Sequence, residues 1–164
     1  MSASLEQLYQ QVILDHSKAR HGNQEFAADL ASRRLSGTTM EDGVGSSHQI
    51  NPTCGDEITV EVRFDPETGI EETRWDGRGC SISMASASVL TSLAEESDLE
   101  SLARIQDAFR ELMHSRGKLD ADEELLGDAA AFQGVSRYPA RIKCAMLAWT
   151  AFEDALRQAR LTKD

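Results

Sequence analysis

At 164 residues, 40% of them hydrophobic, the chain is long enough to bury the core of one domain without covalent cross-links. Its formal net charge of −11 and few aromatic residues argue against a nucleic-acid partner, whose phosphates it would repel. Nowhere does the sequence approach the run of about eighteen apolar residues that crosses a bilayer, and its three cysteines, odd in number, far apart and without an apolar leader, predict a reducing cytoplasm rather than a secreted disulfide scaffold.

Leu5, Leu8, Tyr9, Val12 and Ile13 form the stripe of an amphipathic helix from Ser4 to about Lys18, with Ser4 and Gln7 as its capping box. Periodicity then fades, and the stretch 19–47, rich in glycine, reads largely as loop. A short strand from Ser46 runs into the turn N-P-T-C-G-D, Asn51 to Asp56. Ile58, Val60, Val62 and Phe64 alternate with polar residues as a half-buried strand. D-P-E-T-G at Asp65 to Gly69 is a turn, and Ile70 to Trp75 is the returning strand of a hairpin.

A small, Ser-rich helix is predicted from Ser81 to Glu96, with Cys80 at its mouth. Asp98 caps a second helix whose apolar face is Leu102, Ile105, Phe109, Leu112 and Met113, and Ser115-Arg116-Gly117 ends it. A short helix from Asp122 to Phe132 is stopped by Gly134. Pro139 opens the last helix, marked by Ile142, Ala145, Met146, Trp149, Phe152 and Leu156 to about Arg160, with Cys144 near its start. Between Glu95 and Asp128 eleven acidic residues stand against four basic ones, which reads as a solvated helical face or as a docking surface for a basic partner. The expected fold class is α+β, a small antiparallel sheet of about three strands packed against several helices in a single domain, 1–164.

Cys54 and Asp56 flank Gly55, so a sharp bend there turns a thiol and a carboxylate toward one point. The hairpin returns Cys80 to the same end, and Cys144 is the remaining thiol. These four residues make a candidate Cys3Asp site for a borderline metal, zinc first. A helix start favours thiolate at Cys144 through its positive dipole end. Two negative charges in excess on such a centre call for counter-charge, offered by Arg78, Arg141 and Lys143. His48 is the one histidine placed to support or replace a ligand. The alternative for each thiol taken alone is a small buried hydrophobe.

L-Y-x-x-V-I-L-D-H near the start, N-P-T-C-G-D, G-x-G-C-S-I-S-x-A-S-A-S from Gly77 and R-I-K-C-A-x-L-A-W ending at Trp149 together resemble the zinc-containing SufU branch of the IscU/NifU-N family of iron-sulfur assembly proteins. The resemblance covers the chain nearly end to end. It implies zinc held by Cys54, Asp56, Cys80 and Cys144, and a persulfide relay in which Cys54 accepts sulfur from a SufS-type cysteine desulfurase for the downstream iron-sulfur assembly machinery. Arg141 would neutralise or steer the thiolate, and the acidic stretch 97–134 would be the helical insertion of that branch. The alternative is a scaffold on which a transient 2Fe-2S cluster is assembled and passed on, and a purely structural zinc domain is a third reading. Lys143 stands where scaffold-type relatives carry a histidine, which favours the relay, and the 19–47 loop is longer than the family pattern.

Overall fold

The computed structural model describes residues 2–35 and 41–163. Its sheet is three-stranded and antiparallel in the order β1-β2-β3, with β1 Val44–Ile50, β2 Glu57–Asp65 and β3 Gly69–Arg78. Ile58, Val60 and Val62 of β2 are buried on one face, opposite Gln49, Ser47 and Gly45 of β1. Across that face lies the long C-terminal helix, α6, Pro139–Lys163. Gly45 is where the helix comes closest: a Cβ there would overlap the Ala155 carbonyl.

The other helices wrap this layer. α1, Ala3–Ala19, packs on α3, Ser81–Glu96, whose serines and alanines keep side chains short enough for α1 and α6 both to approach. Each buried hydroxyl on α3 finds a partner, as burial demands. Ser86 donates to the Ala145 carbonyl at 2.6 Å and accepts from Trp149 Nε1 at 2.8 Å. Ser88 lies 2.8 Å from His16 Nδ1 and accepts the His21 N–H. α4, Leu99–His114, is capped by Asp98, which accepts the Ser101 N–H at 2.7 Å, and its predicted apolar face is buried throughout. Phe109 stacks on Trp149 with ring centroids 4.1 Å apart and meets the edge of Phe132. The architecture is the α+β arrangement expected, with a three-stranded sheet and six α-helices among the described residues.

Four local expectations need correction. α1 is capped by Ser2, which accepts the Leu5 N–H at 3.1 Å, not by Ser4. The stretch 19–47 is not largely loop: it holds a helix, α2, Ala27–Leu35, and β1 begins at Val44, while 36–40 lies outside the described residues. α2 is capped from a distance, since Asp76 on β3 accepts the N–H groups of Phe26 and Ala27 at 2.9 and 2.8 Å. Local sequence carries no trace of that cap. Beyond α4, α5 is a single turn, Glu123–Leu126, ended by Gly127 at φ +54°, and 3-10 turns continue from Gly127 to Arg137, straight through Gly134. β3 also runs three residues past Trp75, pairing Arg78 with Glu57. The hairpin therefore ends with Asp56 and Gly79 as the first residues past its paired edge.

Candidate metal centre

The turn between β1 and β2 is organised by Asn51. Its side-chain oxygen accepts the Thr53 N–H at 3.1 Å, its carbonyl accepts the Gly55 N–H at 2.8 Å, and its own N–H bonds to the Asp56 carbonyl at 2.8 Å. Gly55 closes the turn at φ +79°, a left-handed conformation that strains any residue with a Cβ. Asn51 is itself buried, and its amide nitrogen points at Cys144 Sγ, 3.9 Å away. Thus one side chain shapes the loop carrying Cys54 and Asp56 and also reaches the thiol on α6.

Cys54 Sγ lies 3.8 Å from Cys144 Sγ, and one ligand atom from each of Cys54, Asp56 and Cys144 falls within 4.8 Å of the others. Cys80 stands at the N-cap of α3, but its thiol accepts no capping hydrogen bond from the helix backbone. Its Sγ is 3.3 Å from Asp56 Oδ2, and its N–H bonds to Asp56 Oδ1 at 3.3 Å. Cys54 and Cys80 are exposed, Cys144 is buried, and all three are free thiols. Of the four residues predicted from the sequence, Cys54, Asp56 and Cys144 form this cluster, and Cys80 stands outside it, touching it through Asp56.

The donor set fits zinc. Two sulfurs each about 2.3 Å from a tetrahedral zinc lie about 3.8 Å apart, and a sulfur and an oxygen about 3.5 Å apart. The observed 3.8 Å between Cys54 and Cys144 and 3.3 Å between Cys80 and Asp56 match those edges. A cradle is also present. A Cβ on Gly79 would stand 2.6 Å from Asp56 Cγ and 2.8 Å from Oδ1, so the carboxylate rests directly against the bare backbone.

Burial pushes the pKa of Asp56 up, yet hydrogen bonding from Ser83 and then from Cys80, Cys54 and Cys144 outweighs it and holds the carboxyl below the usual carboxylate range. The Ser83 hydroxyl donates to Asp56 Oδ2 at 2.5 Å and is only 2% exposed. Cys144 behaves differently from expectation. Burial, reinforced by Cys80 and by hydrogen bonds with Cys54, Cys80 and Asp56, pushes its thiol up to about 12. Its place in the helix explains why. Cys144 is the sixth residue of α6, beyond the four free N–H groups that carry the dipole's positive end.

The candidate counter-charges have contacts of their own. The exposed Arg78 bonds to Glu57 at 2.6 Å, and Lys143 is exposed beside a shallow cleft with Asn51 and Pro52. Arg141 in the first turn of α6 lies over the Tyr138 ring, 5.1 Å from its centroid. It borders a groove of about 370 Å³ shared with Tyr9, Ile13, Ile82 and Val135. His48 is not a substitute ligand: its Nδ1 bonds to Thr59 Oγ1 at 2.7 Å, and Nε2 is 3.6 Å from Glu57. Ser83, Asn51 and Gly79 were missed by the sequence reading. Ser83 had a findable signal, since the third residue of a helix faces back over its cap, here Cys80.

Residues 8–145 match the family of NifU-like N-terminal domains. The zinc-dependent sulfurtransferase SufU of Bacillus subtilis is 40% identical over 152 residues, covering 93% of this chain and 91% of that protein. The iron-sulfur cluster assembly scaffold protein IscU of Streptococcus pyogenes is 34% identical over 157 residues, covering 96% and 87%. A crystal structure from Fervidobacterium islandicum, named as a candidate iron-sulfur cluster assembly scaffold of the SUF system, superposes with a TM-score of 0.65 at 30% identity, covering 88% of this chain and 93% of that one.

Proposed function

The chain belongs to the family of NifU-like N-terminal domains, and from that premise we propose that it is a zinc-dependent sulfur acceptor of iron-sulfur cluster biogenesis, with Cys54 as the residue that carries the sulfur. One observation supports the choice of Cys54 above the others: it is the exposed thiol on a turn bent at Gly55, whereas Cys80 caps a helix and Cys144 is buried within one. Cys54, Asp56, Cys80 and Cys144 would hold the metal. Bound zinc supplies charge that keeps its thiol ligands deprotonated at neutral pH, where a free thiol of pKa about 8.5 is mostly protonated.

The partner is a sulfur donor, and a cysteine desulfurase carrying a persulfide on its own cysteine fits the chemistry. The Cys54 thiolate attacks the outer sulfur of that persulfide. A new S–S bond forms on Cys54, the donor's S–S bond breaks, and its electron pair leaves on the donor thiolate, which takes up the proton. No net oxidant is consumed. Arg141, exposed and one helical turn before Cys144, would steer the anionic sulfur to this face. A site that works through free thiols fits a reducing cytoplasm, where thiols persist. Among the described residues no helix is long and apolar enough to cross a membrane.

A second reading has an observation of its own. Cys80 is exposed as well as Cys54, so two open thiols, a buried one and a carboxylate would also accept iron and sulfide as cargo for a 2Fe-2S cluster. A single-turnover experiment separates the readings. Iron-free, zinc-loaded protein is mixed with persulfide-loaded cysteine desulfurase, and the products are resolved by intact mass and by alkylation mapping. The relay predicts one added sulfur, located on Cys54. Sulfur that stays on the donor until iron is supplied would favour the scaffold.

A further inference from the structure

Serines inside helices ordinarily turn back on their own backbone. Thr91 does so to the Ala87 carbonyl and Ser92 to that of Ser88, both on α3. Ser83 does not. Its hydroxyl leaves the helix to reach a carboxylate on the β1–β2 turn, donating to Asp56 Oδ2 at 2.5 Å, and it also lies 3.6 Å from Cys80 Sγ. Both groups are buried, Ser83 at 2% and Asp56 at 5% exposure. The carboxylate is also held by the Cys80 N–H at 3.3 Å and backed by the bare Gly79 backbone.

Three constraints from one helix start therefore fix a side chain that belongs to another element. We propose that Ser83 is a positioning residue of the metal centre, its hydroxyl locking the Asp56 carboxylate in the orientation from which it ligates. The proposal rests on the reading of Cys54, Asp56, Cys80 and Cys144 as metal ligands. Without the hydroxyl, Asp56 keeps the Gly79 cradle and the Cys80 N–H but can rotate about its last bond. The loss would then be felt by the metal, not by the fold, because alanine is the better helix former at position 83.

A double-mutant cycle on zinc affinity tests this. Wild type, Ser83→Ala, Asp56→Ala and the double variant are titrated with zinc against a competing chelator, and each is reloaded with cobalt to read the ligand set from its visible spectrum. Melting of the metal-free proteins controls for folding. Ser83→Ala is expected to lower zinc affinity about 10- to 100-fold, the usual effect of removing a hydrogen bond behind a metal ligand, and to alter the cobalt spectrum. In the Asp56→Ala background the same change should alter affinity less than about twofold, since the group it acts through is gone. Equal losses in both backgrounds, or a Ser83→Ala variant that binds zinc like wild type, would overturn the proposal while leaving the metal centre intact. Wild type that fails to bind zinc would remove the centre itself, and Ser83's role with it. If metal-free Ser83→Ala melts far below wild type, Ser83→Thr decides, because it keeps the hydroxyl: affinity within a few-fold of wild type supports the proposal and loss to the alanine level refutes it.

Discussion

Gly79→Ala puts the geometry of the centre under direct strain. The added Cβ would stand 2.6 Å from Asp56 Cγ, 2.8 Å from Oδ1 and 2.9 Å from Cβ, where carbon contacts settle at about 3.5–4.0 Å. The carboxylate must withdraw by about 1 Å, and it has no easy route. Ser83 holds it at 2.5 Å on one side, and the Asp56 carbonyl is tied to the Asn51 N–H at 2.8 Å. Overpacking of this kind costs about 1–3 kcal/mol, and at constant rotamer the cost falls on the ligand itself. Zinc affinity measured by chelator competition is therefore expected to fall at least about 10-fold, by analogy with disturbed support behind other metal ligands. Melting of the metal-free protein should drop only modestly. A Gly79→Ala protein that binds zinc within about twofold of wild type would refute the argument that the carboxylate needs the bare backbone.

Asp76→Ala leaves the N–H groups of Phe26 and Ala27 without their acceptor, which should cost about 0.5–2 kcal/mol and show as faster proteolysis and amide exchange across 27–35 with the rest of the chain unchanged. Trp149→Ala removes a ring that is 1% exposed and stacked on Phe109; urea unfolding should register a loss of about 3–5 kcal/mol. Burial, the hydrogen bond to Glu123 and the charges of Glu123 and Asp120 push the Tyr9 hydroxyl from its ordinary 10.0 up to about 12. The native state therefore keeps a proton that the unfolded chain loses, so this contribution to stability is full below pH 10 and falls as pH rises toward 12. Urea midpoints measured from pH 9 to 11 should decline less steeply for Tyr9→Phe than for wild type.

The periodic helices and the hairpin were readable because each is decided by residues near one another in the chain. α3 has the predicted bounds, Ser81 to Glu96, and Asp98 caps α4 as its sequence position suggests. What escaped depends on partners far away in sequence. α2 gains its cap from Asp76, some fifty residues on, and buries Phe26 and Leu30. The 3-10 turns to Arg137 pass through a glycine that local rules treat as a stop. The candidate ligands were legible from chemistry, since so few thiols are available. Their support was not. In the sequence Asn51 is only the start of a turn and Gly79 only a step in the G-x-G-C motif, yet the Asn51 side chain spans to Cys144 and Gly79 makes room for Asp56. Nor does sequence proximity show the contacts that the counter-charges make, Arg78 with Glu57 and Arg141 with the face of Tyr138.

The most direct test of Cys54 as a zinc-supported sulfur carrier is the turnover of a cysteine desulfurase with cysteine in the presence of iron-free, zinc-loaded protein. Alanine and sulfide are followed alongside the intact masses of wild type and Cys54→Ala. Turnover should rise with wild type alone, and one sulfur should appear on wild type and not on the variant. Zinc-loaded protein that is inert, with activity emerging only when iron takes the place of zinc, would contradict the relay and leave the scaffold in its place.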